Sequence, residues 1–411
     1  MDFSDTPEEA AFRAEASAWL EANAELLAPG ESANPFAERA EGVEEAQAWQ
    51  AKKADGGWAC ISWPTEYGGR GGTAIQNVIW GQEESRFRVA PNIFGIGLGM
   101  GGPTIMTHGT PEQKQRWLPK MLRGEEIWCQ LFSEPSAGSD LAGLRTRAER
   151  DGDEWVINGQ KIWTSGAHYS QWGLLVARSD PNVVKHAGLT YFIVDMHSPG
   201  IEIRPIKQIN GASGFNEVFF TNVRIPDENR ISEVGNGWGV SITTLMNERA
   251  SIGGGGGGAG LDDLIALARS TTIGGRRALD DTSVRHRLAD FYVRTKGLQY
   301  TGYRALTALS RGQTPGPENS IGKLVGAKMR QEQASLALDL QGEAGVVMDP
   351  EAVSGGGVWQ TAYLGAPGGR IAGGSDEIMR NIIAERVLRL PPEPRVDKQI
   401  AFREIPSGPK S

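Results

Sequence analysis

The chain has 411 residues, enough for roughly two to four domains, and its 50 acidic residues outnumber its 42 basic ones. It contains no block of Lys and Arg, which argues against a nucleic-acid or anionic-membrane partner and favours a soluble enzyme. The two cysteines, Cys60 and Cys129, form no Cys-x-x-Cys metal cluster, and without an apolar leader or a run of about 18 apolar residues we expect a cytoplasmic protein with no membrane span.

The first 125 residues are predicted to be helical. Thr6-Pro7-Glu8-Glu9 supplies an N-cap, a proline at the first helical position and a capping-box glutamate. Thr110-Pro111-Glu112-Gln113 repeats that start signal. We therefore expect an N-terminal helical domain over residues 1–125.

A tight turn is predicted in the segment Ser133-Glu134-Pro135-Ser136-Ala137-Gly138-Ser139-Asp140. Pro135 and Gly138 favour a turn in which backbone N–H groups can converge on an electron-rich ring or a phosphate. The Ser133 and Ser139 hydroxyls can join them. A short motif of this kind is equally compatible with a surface turn, and the residues alone leave both possibilities open.

Residues 126–235 are predicted to form an antiparallel β domain. Residues 151–166 have the pattern of two short strands joined by a type I′ turn at Asn158-Gly159. Further β-rich runs, with no helical period between them, occur at 173–177, 190–194, 201–206 and 216–225.

Helical patterns return over residues 236–390. They are clearest at 285–309 and 321–340, where apolar residues recur at spacings of three and four. Residues 391–411 are rich in proline and charge and are expected to form an arm or a frayed tail. The fold class is therefore α+β and multidomain, in the order helices, β domain, helices.

Five motifs in series make the chain resemble the acyl-CoA dehydrogenases from Met1 to about Leu390. They are Trp63-Pro64-Thr65-Glu66-Tyr67-Gly68-Gly69, His108-Gly109-Thr110-Pro111-Glu112-Gln113-Lys114, the loop 134–140, Asn158-Gly159-Gln160-Lys161-Ile162-Trp163-Thr164-Ser165-Gly166, and Ile371-Ala372-Gly373-Gly374-Ser375-Asp376-Glu377-Ile378-Met379-Arg380-Asn381. The resemblance implies an N-terminal helical domain, a central β-barrel-like domain and a C-terminal four-helix bundle. It also implies FAD at their junction and a homo-oligomer, either a tetramer or a dimer.

The resemblance assigns flavin contacts to particular positions. These are Phe132 and Ser133 at the pyrimidine side of the ring, Trp163 and Ser165 on the ring and its N5/O4 edge, Ser139 at a phosphate, Ser375 and Glu377 in the last motif, and Arg276 in place of the arginine of the family's Arg-x-x-Phe-Gly. On its residue type alone Trp163 can instead be a core or interface aromatic, and Ser165 a strand-end hydroxyl. No Gly-x-Gly-x-x-Gly follows a predicted strand, so a Rossmann site is not expected.

The reaction implied is α,β-dehydrogenation of an acyl-CoA thioester to the trans-2-enoyl-CoA. It needs a carboxylate base whose pKa is raised by burial, because an ordinary surface carboxylate is too weak to take a thioester α-proton. Many family members carry this base as a Glu where the present chain has Gly373. A subgroup resembling isovaleryl-CoA and long-chain acyl-CoA dehydrogenases carries it directly before an Arg, where this chain has Glu248-Arg249.

We therefore expect Glu248 to be the base, with Arg249 steadying the carboxylate or the CoA. The alternative is a solvated pair of helical charges. The small residues Ala372 and Gly373 predict space for a branched or bulky acyl group, and the Gly373 N–H can still polarise the thioester carbonyl. The six glycines at 253–258 either break the helix or widen the acyl cavity.

The resemblance also implies that electrons leave to an electron-transferring flavoprotein. Two other functions stay open on the same fold: a non-catalytic subunit of a heteromeric acyl-CoA dehydrogenase, and a flavin monooxygenase or oxidase. The presence of Glu248 together with Ser133, Trp163 and Ser165 argues against a silent subunit.

Overall fold

The computed structural model describes residues 5–27, 42–252, 259–310, 316–317, 320–349, 351–353, 355–392, 394–395 and 397–406, and for 249–252, 306 and 309–310 it describes the backbone alone. The chain divides into two compact units, one formed by Met1–Ser251 with Glu393–Ser411 and the other by Ile252–Pro392. Within the described residues, no helix combines the length and the apolar character needed to cross a bilayer.

Helices dominate the start of the first unit. The α-helices that begin there among the described residues are α1 (Pro7–Asn23), α2 (Val43–Asp55), α3 (Ala74–Glu84), α4 (Gly102–His108), α5 (Pro111–Leu122) and α6 (Gly237–Ile252). The Thr6 hydroxyl accepts from the Glu9 N–H at 3.3 Å, and the Thr6 N–H donates to the Glu9 carboxylate at 2.7 Å. Thr110 and Gln113 repeat this capping box on α5, so both predicted helix starts are confirmed.

Ten strands belong to the described part of the first unit. Two short ones, β1 (Glu25–Leu26) and β2 (Phe87–Arg88), pair with each other. The others are β3 (Trp128–Leu131), β4 (Arg147–Asp151), β5 (Glu154–Ser165), β6 (Trp172–Arg178), β7 (Leu189–Asp195), β8 (Ile201–Ile206), β9 (Phe215–Pro226) and β10 (Arg230–Ile231). They form one sheet in the order β10-β7-β6-β4-β5-β9-β8, with β3 beside β6. The four predicted β-rich runs correspond to β6, β7, β8 and β9.

The centre of this sheet is buried on both faces. Leu174 and Ile193 pair across β6 and β7 and belong to a core that also includes Trp117 of α5. Leu175 and Phe192, one residue along each strand, face a second core built from β5 and β9. Because the helices and the sheet share a core, the division at 125/126 lies inside one compact unit and stays a prediction as a domain boundary.

The predicted turn at Asn158-Gly159 is wrong. The chain turns instead at Gly152, whose φ is +62°, and β5 runs without interruption through Asn158 and Gly159. A register shift in the β5–β9 pairing falls at this point. A side chain at 159 would lie 2.7 Å from the Cα of Thr146, the residue before β4, so this glycine allows close packing there rather than a hairpin turn.

Two strand pairings among the described residues depart from the predicted antiparallel arrangement, and in one of them β4 meets β6 in parallel register at Arg147 and Arg178. β3 runs parallel to β6, with Trp128 opposite Trp172 and Leu131 opposite Leu175. The chain that leaves β3 then lies beside β5, because the Ile162 N–H donates to the Ser133 carbonyl at 2.9 Å. Two segments that are distant in sequence are joined by this bond.

The C-terminal segment belongs to the first unit and pairs with the loop that joins β6 to β7. Ala401 makes an isolated antiparallel bridge to Val184, and Phe402 is buried. Residues 391–411 were expected to form either an arm or a frayed tail. Residues 397–406 form an arm.

The second unit is helical. Its described elements are α7 (Leu261–Ser270), β11 (Thr272–Ile273), β12 (Arg276–Arg277), α8 (Thr282–Ser310), α9 (Ser320–Gln341), α10 (Val358–Gly369) and α11 (Asp376–Ile382). Four helices share its core through Leu264 of α7, Phe291 of α8, Leu336 of α9 and Trp359 of α10. The predicted C-terminal four-helix bundle is confirmed.

Candidate functional site

The tight turn predicted after β3 is present. The N–H of Glu134 donates to the Ala137 carbonyl and the N–H of Ala137 donates to the Glu134 carbonyl, both at 3.0 Å. Pro135 occupies the first corner position, where its fixed φ suits a turn. The chain enters this turn through Phe132, which is buried, and Ser133, which is half-buried.

A buried ion pair supports the turn from within. The Glu134 carboxylate accepts from Lys161 Nζ at 2.8 Å and from the backbone N–H groups of Arg145 and Thr146 at 2.6 and 2.9 Å. Lys161 is fully buried and also donates to the Phe132 carbonyl at 3.0 Å. These bonds tie the turn to β5 and to the start of β4.

The pKa values of the pair reflect its burial. Burial alone would raise the pKa of Glu134, but the charge of Lys161 and the hydrogen bonds outweigh it and hold that pKa below its ordinary value. Burial lowers the pKa of Lys161 in spite of the attraction of Glu134. Both residues lie inside the motifs named above, but the sequence gives no sign that they pair, since 26 residues and a β-hairpin separate them.

Trp163 stands at an irregular point of β5. The pairing of β5 with β9 shifts register between Lys161 and Thr164, and Trp163 has a φ of +61°, in the left-handed region. Its side chain is 55% exposed and meets the Phe215 ring edge to face, with centroids 6.0 Å apart. An exposed aromatic in a strained conformation is typical of a ligand contact rather than of this unit's core.

Three serine hydroxyls belong to the turn after β3 and to the end of β5. Within the described residues, the side chains of Ser133, Ser139 and Ser165 make no hydrogen bond. Ser133 and the bulge of β5 are joined directly by the Ile162–Ser133 bond. An exposed indole beside free hydroxyls fits a planar heteroaromatic ring with carbonyl and phosphate oxygens, which are the groups that FAD offers.

Helix α6 carries the expected base. The Thr244 hydroxyl lies 3.0 Å from the Thr104 hydroxyl of α4 and 3.1 Å from the Tyr191 hydroxyl of β7, and all three residues are fully buried. Glu248 follows one turn later on the same helix face. Its Oε2 accepts from Gln130 Nε2 of β3 at 3.4 Å, and its side chain is half-buried.

This contact connects Glu248 to the segment that leads into Ser133, because Gln130 lies on β3 three residues before Ser133. Glu248 is therefore not a fully solvated helical charge. The side chain of Arg249 and the glycines at 253–258 lie outside the described residues, so the calls on Arg249 and on the glycine run stay predictions.

The remaining predicted site residues belong to the second unit. Gly373 and Gly374 have φ values of +66° and +98°, and Lys323 Nζ donates to the Gly374 carbonyl. Ser375 caps α11, where its hydroxyl accepts from the Ile378 N–H at 3.4 Å. A left-handed backbone at 373 favours glycine, so a glutamate base at this position would add strain.

Glu377 and Arg276 are exposed. Glu377 lies 3.7 Å from Arg380, and Arg276 follows the Gly274-Gly275 turn that joins β11 to β12. Within the described residues Arg276 makes no ion pair. These two side chains remain candidates for the cofactor's distal half.

Replacing Trp163 with glycine is expected to separate stability from cofactor binding. The left-handed backbone costs a tryptophan about 1 kcal/mol, and the Phe215 contact contributes about as much, so the free energy of unfolding should change by less than about 1 kcal/mol. FAD binding should weaken at least tenfold, because the exposed ring is lost. Urea unfolding of the apoprotein and a flavin fluorescence titration measure the two effects. A variant that loses several kcal/mol of stability and keeps its FAD affinity would show that Trp163 is a core or interface aromatic instead.

The chain matches known proteins along almost its full length. Family models described as the acyl-CoA dehydrogenase N-terminal, middle and C-terminal domains match residues 6–125, 129–223 and 235–388. Acyl-CoA dehydrogenase IpdE1 of Mycobacterium tuberculosis is 40% identical over 393 residues, which cover 93% of this chain and 98% of that protein.

Two solved structures are similar in fold and sequence. A chain of the structure described as "Tcur3481-Tcur3483 steroid ACAD" superposes with a TM-score of 0.79 at 27% identity and covers 96% of this chain and 100% of its own. A chain of the ChsE4-ChsE5 complex from Mycobacterium tuberculosis superposes with a TM-score of 0.77 at 28% identity, with the same coverage of both chains.

Proposed function

The chain belongs to the acyl-CoA dehydrogenase family, and from that premise we propose that it oxidises the Cα–Cβ bond of a bulky, ring-bearing acyl-CoA with Glu248 as its base. Membership makes it an FAD-binding oxidoreductase. The observation that carries the proposal is the position of Glu248, on a helix anchored by buried hydroxyls and hydrogen-bonded to Gln130.

In the proposed reaction Glu248 takes the α-proton of the thioester. Gln130 holds the carboxylate in orientation, and the buried bond between Thr244 and Tyr191 holds the turn of α6 that precedes it. The N–H of Gly373 polarises the thioester carbonyl, so that the negative charge that develops on the oxygen is stabilised. Bound FAD supplies the acceptor for the β-hydrogen, which leaves with its electron pair, and the Cα–Cβ double bond forms.

We assign the cofactor contacts as the sequence predicts. The proposed set is Phe132, Ser133, Ser139, Trp163 and Ser165 in the first unit, and Ser375, Glu377 and Arg276 in the second. The unpartnered hydroxyls and the exposed Trp163 ring support the first group. Arg276 is exposed and makes no ion pair to any described residue, which supports a phosphate contact by that side chain.

The preference for a bulky acyl group rests on two observations. Ala372 and Gly373 are smaller than the tyrosine and the glutamate that the family's common pattern carries at these positions. A similar solved chain comes from a structure described as a steroid ACAD. A fused-ring or branched acyl group is therefore the proposed substrate class, with an electron-transferring flavoprotein as the proposed acceptor.

The substrate class is tested by kcat/KM with an artificial electron acceptor over straight, branched and ring-bearing acyl-CoAs. We expect ring-bearing thioesters to have the highest kcat/KM of the three classes. Ala372→Tyr should lower that value about tenfold or more. The straight-chain kcat/KM of the same variant is the internal control and should change by less than about threefold. Equal losses on both classes, or a straight-chain preference in the wild type, would contradict the proposal.

A heteromeric assembly is the second candidate. Its support is the similarity to a chain of the ChsE4-ChsE5 complex, which contains two unlike subunits. The FAD content of the purified chain alone separates the possibilities. One FAD per chain favours the homo-oligomer, whereas a chain that holds FAD only after an unlike partner is added favours the heteromer.

A further inference from the structure

The arm formed by residues 397–406 is hydrogen-bonded to the loop that joins β6 to β7 in the same unit. The N–H groups of Phe402 and Arg403 donate to the carbonyls of Val183 and Pro181 at 2.8 and 3.0 Å. The Arg403 guanidinium donates to the Asn182 side chain at 2.8 Å. Main-chain and side-chain bonds therefore fix the arm on the loop that joins β6 to β7.

Phe402 covers a buried arginine. Its ring centroid lies 3.4 Å from the Arg178 guanidinium, and both side chains are buried. Burial lowers the pKa of Arg178 to about 10. Among the described residues the Arg178 guanidinium donates to carbonyls and pairs with no carboxylate. A buried cation of this kind gains from an aromatic face, since the ring excludes water and attracts the charge.

Arg178 in turn holds the loop that follows the predicted flavin turn. It donates to the carbonyls of Ala142 and Leu144 at 2.6 and 3.0 Å. The next two residues, Arg145 and Thr146, donate their N–H groups to Glu134. Residues 133–146 are here called the flavin loop. Glu134 joins its two ends from within, and Arg178 bonds to its last residues from outside.

Lys185 makes a second link between the arm and the flavin loop. It is 8% exposed, donates to both oxygens of Asp140 at 2.8 and 3.1 Å, and pairs with Asp397 of the arm. Asp140 directly follows Ser139, the proposed phosphate contact. The two links reach the flavin loop at separate points.

From this geometry we infer that the arm is a latch that positions the flavin loop for FAD, with Phe402 and Asp397 as its positioning residues. The inference rests on the proposed flavin contacts of Ser133 and Ser139. A tail that only covers apolar surface would contribute to stability alone. A latch contributes to FAD affinity, because release of Arg178 and Lys185 frees the loop that must present its hydroxyls.

The test is the FAD dissociation constant of each apoprotein, measured by flavin fluorescence, with far-UV circular dichroism to report folding. Phe402→Ala should weaken FAD binding about tenfold, and Phe402→Tyr, which keeps a ring over Arg178, should stay within about twofold of the wild type. Glu404→Gln is the matched control: Glu404 is exposed on the same arm and makes no side-chain bond within the described residues. Its dissociation constant should not change.

A folded Phe402→Ala protein that binds FAD like the wild type would overturn the latch. If that variant does not fold, Asp397→Asn decides, because it keeps the shape of the side chain and removes only its charge; it should weaken FAD binding about threefold, and wild-type affinity would overturn the inference. Ser133→Ala and Ser139→Ala belong to the same series. If both bind FAD normally, the proposed flavin site is wrong; if they weaken binding and the arm variants do not, only the latch is wrong.

Discussion

Glu248→Gln is expected to lower the rate of flavin reduction by an acyl-CoA about a thousandfold, with FAD still bound. A carboxamide cannot accept the α-proton, and general bases of this kind typically contribute factors of about a hundred to ten thousand. The glutamine carbonyl can still accept from Gln130, so the fold around α6 should persist. Anaerobic stopped-flow absorbance at the flavin band measures the rate.

Glu217→Gln is the matched control for this change. Glu217 on β9 also accepts from a glutamine amide, that of Gln160, at 2.9 Å, and no role in the reaction is assigned to it. Its rate should stay within about twofold of the wild type. A Glu248→Gln protein that reduces its flavin as fast as Glu217→Gln would show that another group takes the proton.

Glu134→Gln is expected to destabilise the first unit by about 3–5 kcal/mol, because it leaves the fully buried Lys161 without its charge partner. The melting temperature should fall by about 10 °C. The double variant Glu134→Gln with Lys161→Met should recover much of this loss, since no buried charge remains. Thermal and urea unfolding of the three proteins measure the effect.

An exposed ion pair supplies the control for this prediction. Glu202 and Arg204 on β8 are paired at 2.7 Å with more than half of each side chain exposed, so Glu202→Gln should cost less than about 1 kcal/mol. Equal losses for Glu134→Gln and Glu202→Gln would mean that the buried pair does not hold the turn.

The same pair predicts a dependence on acid. Because the pKa of Glu134 is below its ordinary value of 4.5, its contribution is complete above that pH and is lost as the pH falls toward the folded-state value. The stability difference between the wild type and Glu134→Gln should therefore shrink below about pH 4. Urea unfolding at several pH values measures it.

Local signals in the sequence predicted several of the described helices and strands. The capping boxes of α1 and α5 depend on four consecutive residues each, and both form. The strand predicted at 201–206 coincides with β8, whose first four residues alternate between apolar and polar side chains. Such features depend on residues that are adjacent in the sequence, so they can be predicted from the sequence alone.

Features that depend on distant residues were missed or misread. Asn158-Gly159 has the composition of a type I′ turn, but close packing of Gly159 against Thr146 keeps β5 continuous. The parallel pairing of β3 with β6 leaves no signature in either strand. The same is true of the arm, since the partner of Phe402 is an arginine more than 220 residues earlier.

The candidate site could be predicted only in part, because some of its features depend on residues that are distant in the sequence. Ser133, Trp163 and Glu248 could be named from motifs, whereas the left-handed backbone of Trp163 and the contact of Glu248 with Gln130 arise only when β3, β5 and α6 are assembled. The support for the turn by Glu134 and Lys161 belongs to the same class, because two charges become a pair only through the fold.

One anaerobic single turnover tests the central claim most directly. The purified protein with its FAD is mixed with a ring-bearing acyl-CoA. The flavin absorbance is followed, and the mass of the thioester is measured by mass spectrometry. The account predicts that one flavin is reduced for each thioester molecule that loses two hydrogens. A flavin that stays oxidised with every thioester, or a product that gains oxygen when air is admitted, would contradict it.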